Sequence, residues 1–156
     1  MNFIDSIKTC FRKYASFHGR AMRSEFWWFQ LFTTIVTYGA MTIDHIALGY
    51  TFEDVATPLA VIVILVILVP SASVTARRLH DIGWSGWVQL PVFLTYSAYF
   101  DIWNPGFSLS ITGTTLMIIG MLAWMGLLLI LIKDSQPSTN KYGPNPKTPD
   151  MGTVFS

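Results

Sequence analysis

Four long apolar segments divide an otherwise polar chain of 156 residues. They cover residues 26–43, 56–76, 84–100 and 109–132. An α-helix rises 1.5 Å per residue, so about 20 apolar residues cross the hydrocarbon core of a bilayer. The third segment is the weakest, because it is short and contains Gln89 and Pro91. The pattern predicts an all-α fold, a polytopic membrane protein built as a bundle of four transmembrane helices.

The positions of the basic residues predict the topology of this bundle. All ten Lys and Arg residues lie before the first segment, between the second and third, or after the fourth. Lys and Arg are retained on the cytoplasmic side, so four spans place both termini in the cytoplasm. Three regions follow, a basic segment (1–24), a transmembrane domain (25–132) and a Pro-rich tail (133–156) expected to be extended or disordered apart from a turn near Tyr142. A three-span alternative would put the C-terminal lysines outside.

The N-terminal segment has the period of an amphipathic helix. Apolar residues recur at three- and four-residue spacing from Phe3 to Phe17, while Lys8, Arg12 and Lys13 fill the opposite face. Such a helix lies in the membrane interface with its cations near anionic lipid headgroups. It either sets topology and anchors the bundle, or has a gating or partner-binding role. Both interpretations stay open.

Composition narrows the class of protein and the chemistry available to it. Only 12% of the residues are charged, against roughly 25% in soluble domains, and the mean hydropathy is +0.47. A net charge of +1 argues against a nucleic-acid partner. One cysteine, Cys10, excludes an internal disulfide and is expected to fill the apolar stripe. We predict no cofactor and no metal site, and expect Asp44 and its acidic neighbours to be solvated loop charges.

A cluster of charged residues follows the second apolar segment, where residues 76–87 read ARRLHDIGWSGW. Helical spacing brings the arginines and Asp81 together, with Asp81 as the counter-ion of one arginine, and the glycines end the helix. Residues before the first segment reach the same layer beside Glu25. We call this cluster the arginine shelf; its members are Arg20, Arg23, Arg77, Arg78, His80 and Asp81. The planar guanidinium fork suits phosphate, but juxtamembrane arginines also pair with acids and fix topology.

Three stretches of the chain carry a family resemblance. Residues 14–29 (YASFHGRAMRSEFWWF), 76–87 and 140–146 (NKYGPNP) resemble the family of small bacterial inner-membrane proteins called domain of unknown function 805. The resemblance spans nearly the whole chain, with its motifs in the right order. It implies a polytopic helical protein of the bacterial inner membrane. It implies no activity.

The polar residues within the spans bear on the class of function. No Asp, Glu, Lys, Arg or His lies inside a predicted span away from its ends, which disfavours ion-coupled transport. The Ser and Thr residues within the spans suit interhelical hydrogen bonds, which we expect, and they would also suit the lining of a pore. Pro70 should kink the second span and is a candidate hinge, with Ser71 and Ser73 placed to satisfy the freed backbone groups. Small residues on the fourth span would suit the bundle or a homo-oligomer.

The sequence thus leads to a non-enzymatic inner-membrane protein surrounded by the lipid bilayer. Its arginine shelf would bind anionic lipid headgroups or an unidentified membrane protein. The alternative is a small oligomeric channel or transporter for an uncharged or anionic solute, with Pro70 as its hinge. A membrane enzyme is the third hypothesis, and it would need a reactive pair at His80.

Overall fold

The computed structural model describes residues 1–51, 57–92 and 111–147. Regular structure in these ranges is helical, apart from an isolated bridge between Asn140 and Gly143. The helices are α1 (Phe3–Arg12), α2 (Arg23–Leu48), α3 (Pro58–Asp81), a short 3₁₀ helix (Gly86–Gln89) and α4 (Ile111–Ile132). The all-helical fold class is therefore confirmed for the described residues.

The membrane-spanning prediction is supported by two of these helices. By length and composition, α2 and α3 are each able to cross a bilayer. Both extend beyond the predicted apolar segments, to Leu48 in α2 and to Asp81 in α3. The predicted third span begins as the 3₁₀ helix and a helical turn at residues 90–92, and the remainder lies outside the described residues. The four-span count stays a prediction.

Helix α1 packs against the first turns of α2 through aromatic side chains. Asn2 starts the helix, because its side chain accepts a hydrogen bond from the Asp5 N–H at 2.8 Å. The Phe3 ring contacts Trp28 edge to face at 5.8 Å, and Phe11 meets two phenylalanines of α2 in the same way. Phe3 and Phe11 of the apolar stripe thus face protein rather than lipid. The placement of α1 in the membrane interface stays a prediction.

The start of α3 is capped by a side chain from the end of α2. Thr57 precedes α3 but makes no side-chain cap, and Asp44 Oδ2 instead accepts from the N–H groups of Leu59 at 2.8 Å and Ala60 at 3.2 Å. Asp44 is 2% exposed. A carboxylate is stabilised by the unpaired N–H groups and the positive end of a helix dipole. The expectation that Asp44 is a solvated loop charge was wrong, because its partners lie on another helix.

Pro70 lies inside α3 and leaves one carbonyl of the helix without its usual donor. Proline has no N–H, so the carbonyl four residues earlier, Val66, loses its helical partner. The Tyr14 hydroxyl donates to this oxygen at 2.7 Å. The prediction that Ser71 and Ser73 satisfy the freed backbone groups is wrong for the carbonyl of Val66, because the side chain that reaches it comes from the segment after α1.

The described hydroxyl side chains of α2 and α3 mostly bond within their own helix. Thr33 and Thr34 both donate to the carbonyl of Gln30 at 2.9 Å, and Thr75 donates to that of Ser71 at 2.7 Å. The prediction of interhelical hydrogen bonds is wrong for these three threonines, since a carbonyl three or four residues back lies within reach. The Ser73 hydroxyl lies 3.2 Å both from the carbonyl of Pro70 in its own helix and from that of Lys13, just after α1.

Candidate functional site: an ionic core at the end of α3

The last turns of α3 lie inside the protein rather than on its surface. Arg77, Arg78, Leu79 and Asp81 are all 0% exposed. The segment before α2, the end of α4 and the tail surround them, as the contacts below describe. We call the buried charged set the ionic core; its members are Arg20, Glu25, Arg77, Arg78 and Asp81.

Arg77 forms an ion pair with Glu25 of α2. Its Nη1 contacts Glu25 Oε1, while its Nε and Nη2 are enclosed without a hydrogen-bond partner. The Cys10 thiol lies 3.9 Å from the same carboxylate oxygen. Burial and the negative charge of Glu25 raise the pKa of Cys10 to about 12. Cys10 therefore fills space as an uncharged thiol, as predicted, and the ion pair joins α2 to α3 beneath α1.

Arg78 caps the C-terminal end of α4. Its Nε and Nη2 donate to the carbonyl of Leu131 at 3.1 and 3.0 Å, and Nη2 also donates to the carbonyl of Lys133. The last carbonyls of a helix have no internal donor and carry partial negative charge, so a guanidinium satisfies both needs. The remaining Nη1 contacts Asp81 Oδ2 one turn along α3. The predicted pairing of Asp81 with one of the two arginines is confirmed, and that arginine is Arg78.

Arg20 holds the tail against α3. Its Nε donates to Asp81 Oδ1 at 2.9 Å. Its two terminal nitrogens donate to carbonyls of the tail, those of Gln136 at 2.6 Å, Ser138 at 2.9 Å and Gly143 at 3.2 Å. The prediction of an extended or disordered tail is therefore wrong for the residues that dock on Arg20, because several backbone carbonyls bind this one buried cation. The turn predicted near Tyr142 is confirmed, and it is closed by the bridge between Asn140 and Gly143.

His80 supports the same docking of the tail. Its ring stacks on Tyr142 with centroids 3.7 Å apart and an interplanar angle of 7°, and Nδ1 lies 3.2 Å from the carbonyl of Gly19. The His80 carbonyl accepts from Asn140 Nδ2 at 2.9 Å. Gly86 lies close by, and a Cβ there would be 2.9 Å from the Ala76 Cβ. This glycine allows a close approach of the loop to α3.

Arg23 lies at the edge of the ionic core, with a side chain 40% exposed. It contacts Asp134 Oδ1 at 2.8 Å and donates to the carbonyl of Ile132 at 3.2 Å. Lys147 contacts the same carboxylate oxygen at 2.9 Å. The hydrogen bond from Lys147 and the charge of Arg23 lower the pKa of Asp134. The carboxylate of Asp134 thus links Lys147, at the end of the described tail, to Arg23 of α2.

The arginine shelf predicted from sequence is thus divided by the structure. Arg20, Arg78 and Asp81 come together in one network, Arg77 turns to Glu25, His80 meets the tail, and Arg23 stays outside. Sequence reasoning placed Glu25 nearby but missed the tail residues. No guanidinium fork of the ionic core is open to an external phosphate.

The exposed cations of the N-terminal segment contrast with the ionic core. Lys8, Arg12 and Lys13 are exposed, and none of them forms an ion pair with a described residue. Ile4 lies on the same helix with 60% of its surface exposed. Cations beside an exposed apolar side chain are the residue types that meet headgroups and acyl chains at a membrane surface.

Two helices with the length and composition of membrane spans, joined at one end by an ionic core, fit the class of helical membrane proteins. It belongs to the family described as protein of unknown function (DUF805), whose profile matches residues 14–144. The match begins at the tyrosine that bonds to α3 and ends beside the tail turn that Arg20 holds. It therefore includes the whole ionic core.

Two relatives from Escherichia coli (strain K12) are named as inner-membrane proteins. The chain is 26% identical to inner membrane protein YhaH over 136 residues, which are 87% of this chain and 91% of the relative. It is also 26% identical to inner membrane protein YhaI over 137 residues, 87% of this chain and 90% of the relative. No solved structure matches the chain. The predicted family and the inner-membrane character are confirmed.

Proposed function

We propose that this protein is a non-enzymatic, multi-pass inner-membrane protein with both termini in the cytoplasm, whose N-terminal segment holds anionic lipid headgroups. The observation that carries the proposal is the set of exposed cations Lys8, Arg12 and Lys13, which have no acidic partner among the described residues. A cation near an anionic membrane surface contributes about 1 kcal/mol. The proposal therefore assigns lipid binding to α1 and to Lys13, which follows it, and not to the arginine shelf.

The ionic core has an architectural role in this proposal. Buried charges are costly unless they are paired and hydrogen-bonded, and Arg20 and Arg78 meet that condition with Asp81 and backbone carbonyls. Their bonds join the segment before α2 to α3, α4 and the tail. The core thereby fixes the segment that connects α1 to α2, while aromatic contacts with α2 hold α1 itself.

The surroundings of His80 and Cys10 support a non-enzymatic role. His80 is stacked on Tyr142 and lies within hydrogen-bond distance of a backbone carbonyl, which leaves its ring little freedom to meet a substrate. Cys10 is fully buried, and its pKa of about 12 keeps the thiol protonated at neutral pH. Neither residue has the activated character of a catalytic group.

Lipid retention tests the proposal. The variant Lys8→Gln/Arg12→Gln/Lys13→Gln and the wild type are extracted from vesicles of equal phosphatidylglycerol and phosphatidylcholine, and the retained lipids are measured by mass spectrometry. At about 1 kcal/mol per cation, loss of three cations lowers the preference for phosphatidylglycerol by up to about a hundredfold at low salt, and by less at high salt.

The matched control removes the same charge from the tail, as Lys133→Gln/Lys141→Gln/Lys147→Gln. We expect the control to keep most of the preference for the anionic lipid. An equal loss in both variants would mean that net charge alone sets the preference. An unchanged preference in the α1 variant would overturn the proposed role of α1.

A further inference from the structure

An apolar groove runs between the end of α1, α2 and α3. Its volume is about 230 Å³, and every side chain that lines it is apolar. Val66, one of its lining residues, is 49% exposed, so the groove is open to the surface of the protein. The lining residues are Phe11, Phe32, Val36, Ile62, Val63, Val66 and Ile67.

The lining of the apolar groove limits what it can hold. Its side chains offer no polar or charged group to an occupant, so the part of a ligand that lies along the groove is hydrocarbon. Because α2 and α3 have the length and composition of membrane spans, acyl chains are the hydrocarbon at hand.

A cationic rim borders the same groove. Phe11 lines the groove, and the next two residues along the chain, Arg12 and Lys13, are exposed and unpaired with acids among the described residues. The Tyr14 hydroxyl bonds to the carbonyl of Val66, which lines the groove. This hydrogen bond therefore holds the chain directly after the two cations against the groove.

The rim lies closer than the groove to the arginine-rich end of the protein. The Lys13 carbonyl lies 3.2 Å from the Ser73 hydroxyl. Ser73 is seven residues beyond Val66 on α3, which corresponds to about 10 Å at 1.5 Å per residue. The Lys13 backbone therefore lies about 10 Å nearer that end than Val66 does. Hydrocarbon at the groove and cations on this side of it would match the polarity of a phospholipid.

We propose that the apolar groove holds one acyl chain of an anionic phospholipid whose phosphate is bound by Arg12 and Lys13. This inference rests on the proposed function, because it assigns the headgroups held by α1 to one bound lipid. The guanidinium of Arg12 offers two parallel donors to phosphate, and Lys13 adds a point charge. The apolar lining of the groove and the two cations beside it thus select the same class of ligand.

Filling the apolar groove tests the inference. Val63→Trp places a large side chain in the groove, and Ile64→Trp is the matched control, because Ile64 is the next residue on α3 and does not line the groove. Each protein is delipidated, supplied with phosphatidylglycerol or phosphatidylcholine, and examined by native mass spectrometry. We expect Val63→Trp to retain phosphatidylglycerol at least tenfold more weakly than Ile64→Trp, with similar thermal stability.

A second variant separates the headgroup from the acyl chain. Arg12→Gln/Lys13→Gln should still accept a lipid but lose the preference for phosphatidylglycerol. If Val63→Trp and Ile64→Trp retain the lipid equally, the groove site is refuted, while the preference measured for the three-cation variant still decides the proposed function. If Val63→Trp instead changes the mass of the assembly, the groove is an interface between copies of the chain and the lipid site is wrong.

Discussion

The hydrogen bond from Tyr14 to α3 gives a direct test of how the N-terminal segment is attached to the helix pair. Tyr14→Phe removes the hydroxyl that lies 2.7 Å from the carbonyl of Val66 and keeps the ring. Pro70→Ala restores the N–H that a helix would normally direct at the same carbonyl. The two substitutions therefore act on one acceptor from opposite sides.

The magnitude follows from the surroundings of this carbonyl. A typical hydrogen bond contributes about 0.5–1.5 kcal/mol, and an acceptor left without a partner away from water costs about 1–3 kcal/mol. Val66 lies among the apolar groove residues, so we expect Tyr14→Phe to lower the free energy of unfolding by about 1–2 kcal/mol. In the Pro70→Ala background the helix supplies its own donor, and the same substitution should cost about 0.5 kcal/mol or less. The coupling energy is then about 1 kcal/mol.

The assay is denaturant unfolding of all four proteins of this double-mutant cycle in one detergent, followed by tryptophan fluorescence. Tyr38→Phe is the control, because Tyr38 is 66% exposed on α2, and it should change stability by less than about 0.5 kcal/mol. Additive effects of the two substitutions, within about 0.3 kcal/mol, would refute the reasoning. Tyr14 would then contribute through its ring alone.

Two further predictions concern the ion pair between Glu25 and Arg77 and the Cys10 thiol beside it. Glu25→Gln leaves the Arg77 guanidinium buried without its carboxylate and should cost about 3–5 kcal/mol in thermal or denaturant unfolding, whereas Glu25→Leu/Arg77→Leu should cost less; a larger loss in the double variant would show that the ion pair is a net gain. The raised pKa of Cys10 predicts alkylation about a thousandfold slower at pH 8 than for an ordinary thiol, because the pKa rises by three units from 9.0, and the rate should still increase up to pH 11. Since the folded protein keeps the proton, stability falls as the pH rises above 9 towards 12, and fast alkylation at pH 8 in the folded protein would contradict the burial of Cys10.

Local spacing was sufficient for the contacts that lie within one helix. Arg78 and Asp81 are three residues apart on α3, so their pairing could be predicted from the sequence. Arg77 and Glu25 are separated by 52 residues, and Asp44 meets the N–H groups of α3 from 15 and 16 residues away. Helical periodicity carries no information on such partners. It locates the charged residues and leaves their choice of partner to the packing of the helices.

The tail shows how a buried cation can order a segment that composition describes as disordered. Proline and small polar residues bury little apolar surface, which is why the tail was expected to stay extended. Its backbone carbonyls, however, are acceptors, and Arg20 is 6% exposed with more donors than Asp81 alone can satisfy. Carbonyls of Gln136, Ser138 and Gly143 complete the set. The tail is therefore ordered by hydrogen bonds from Arg20, which is 116 residues or more away along the chain, and not by its own composition.

The same reasoning divides the basic residues by what they do. The rule that places Lys and Arg in the cytoplasm counts all ten equally. In the folded chain Arg20, Arg77 and Arg78 are buried. Their guanidinium groups form ion pairs with Glu25 and Asp81 and donate hydrogen bonds to backbone carbonyls. The exposed cations of the N-terminal segment have no acidic partner among the described residues. Because Arg20 and the Glu25–Arg77 pair hold the backbone around that segment, binding of an anionic lipid would have to order only the exposed side chains of its cations.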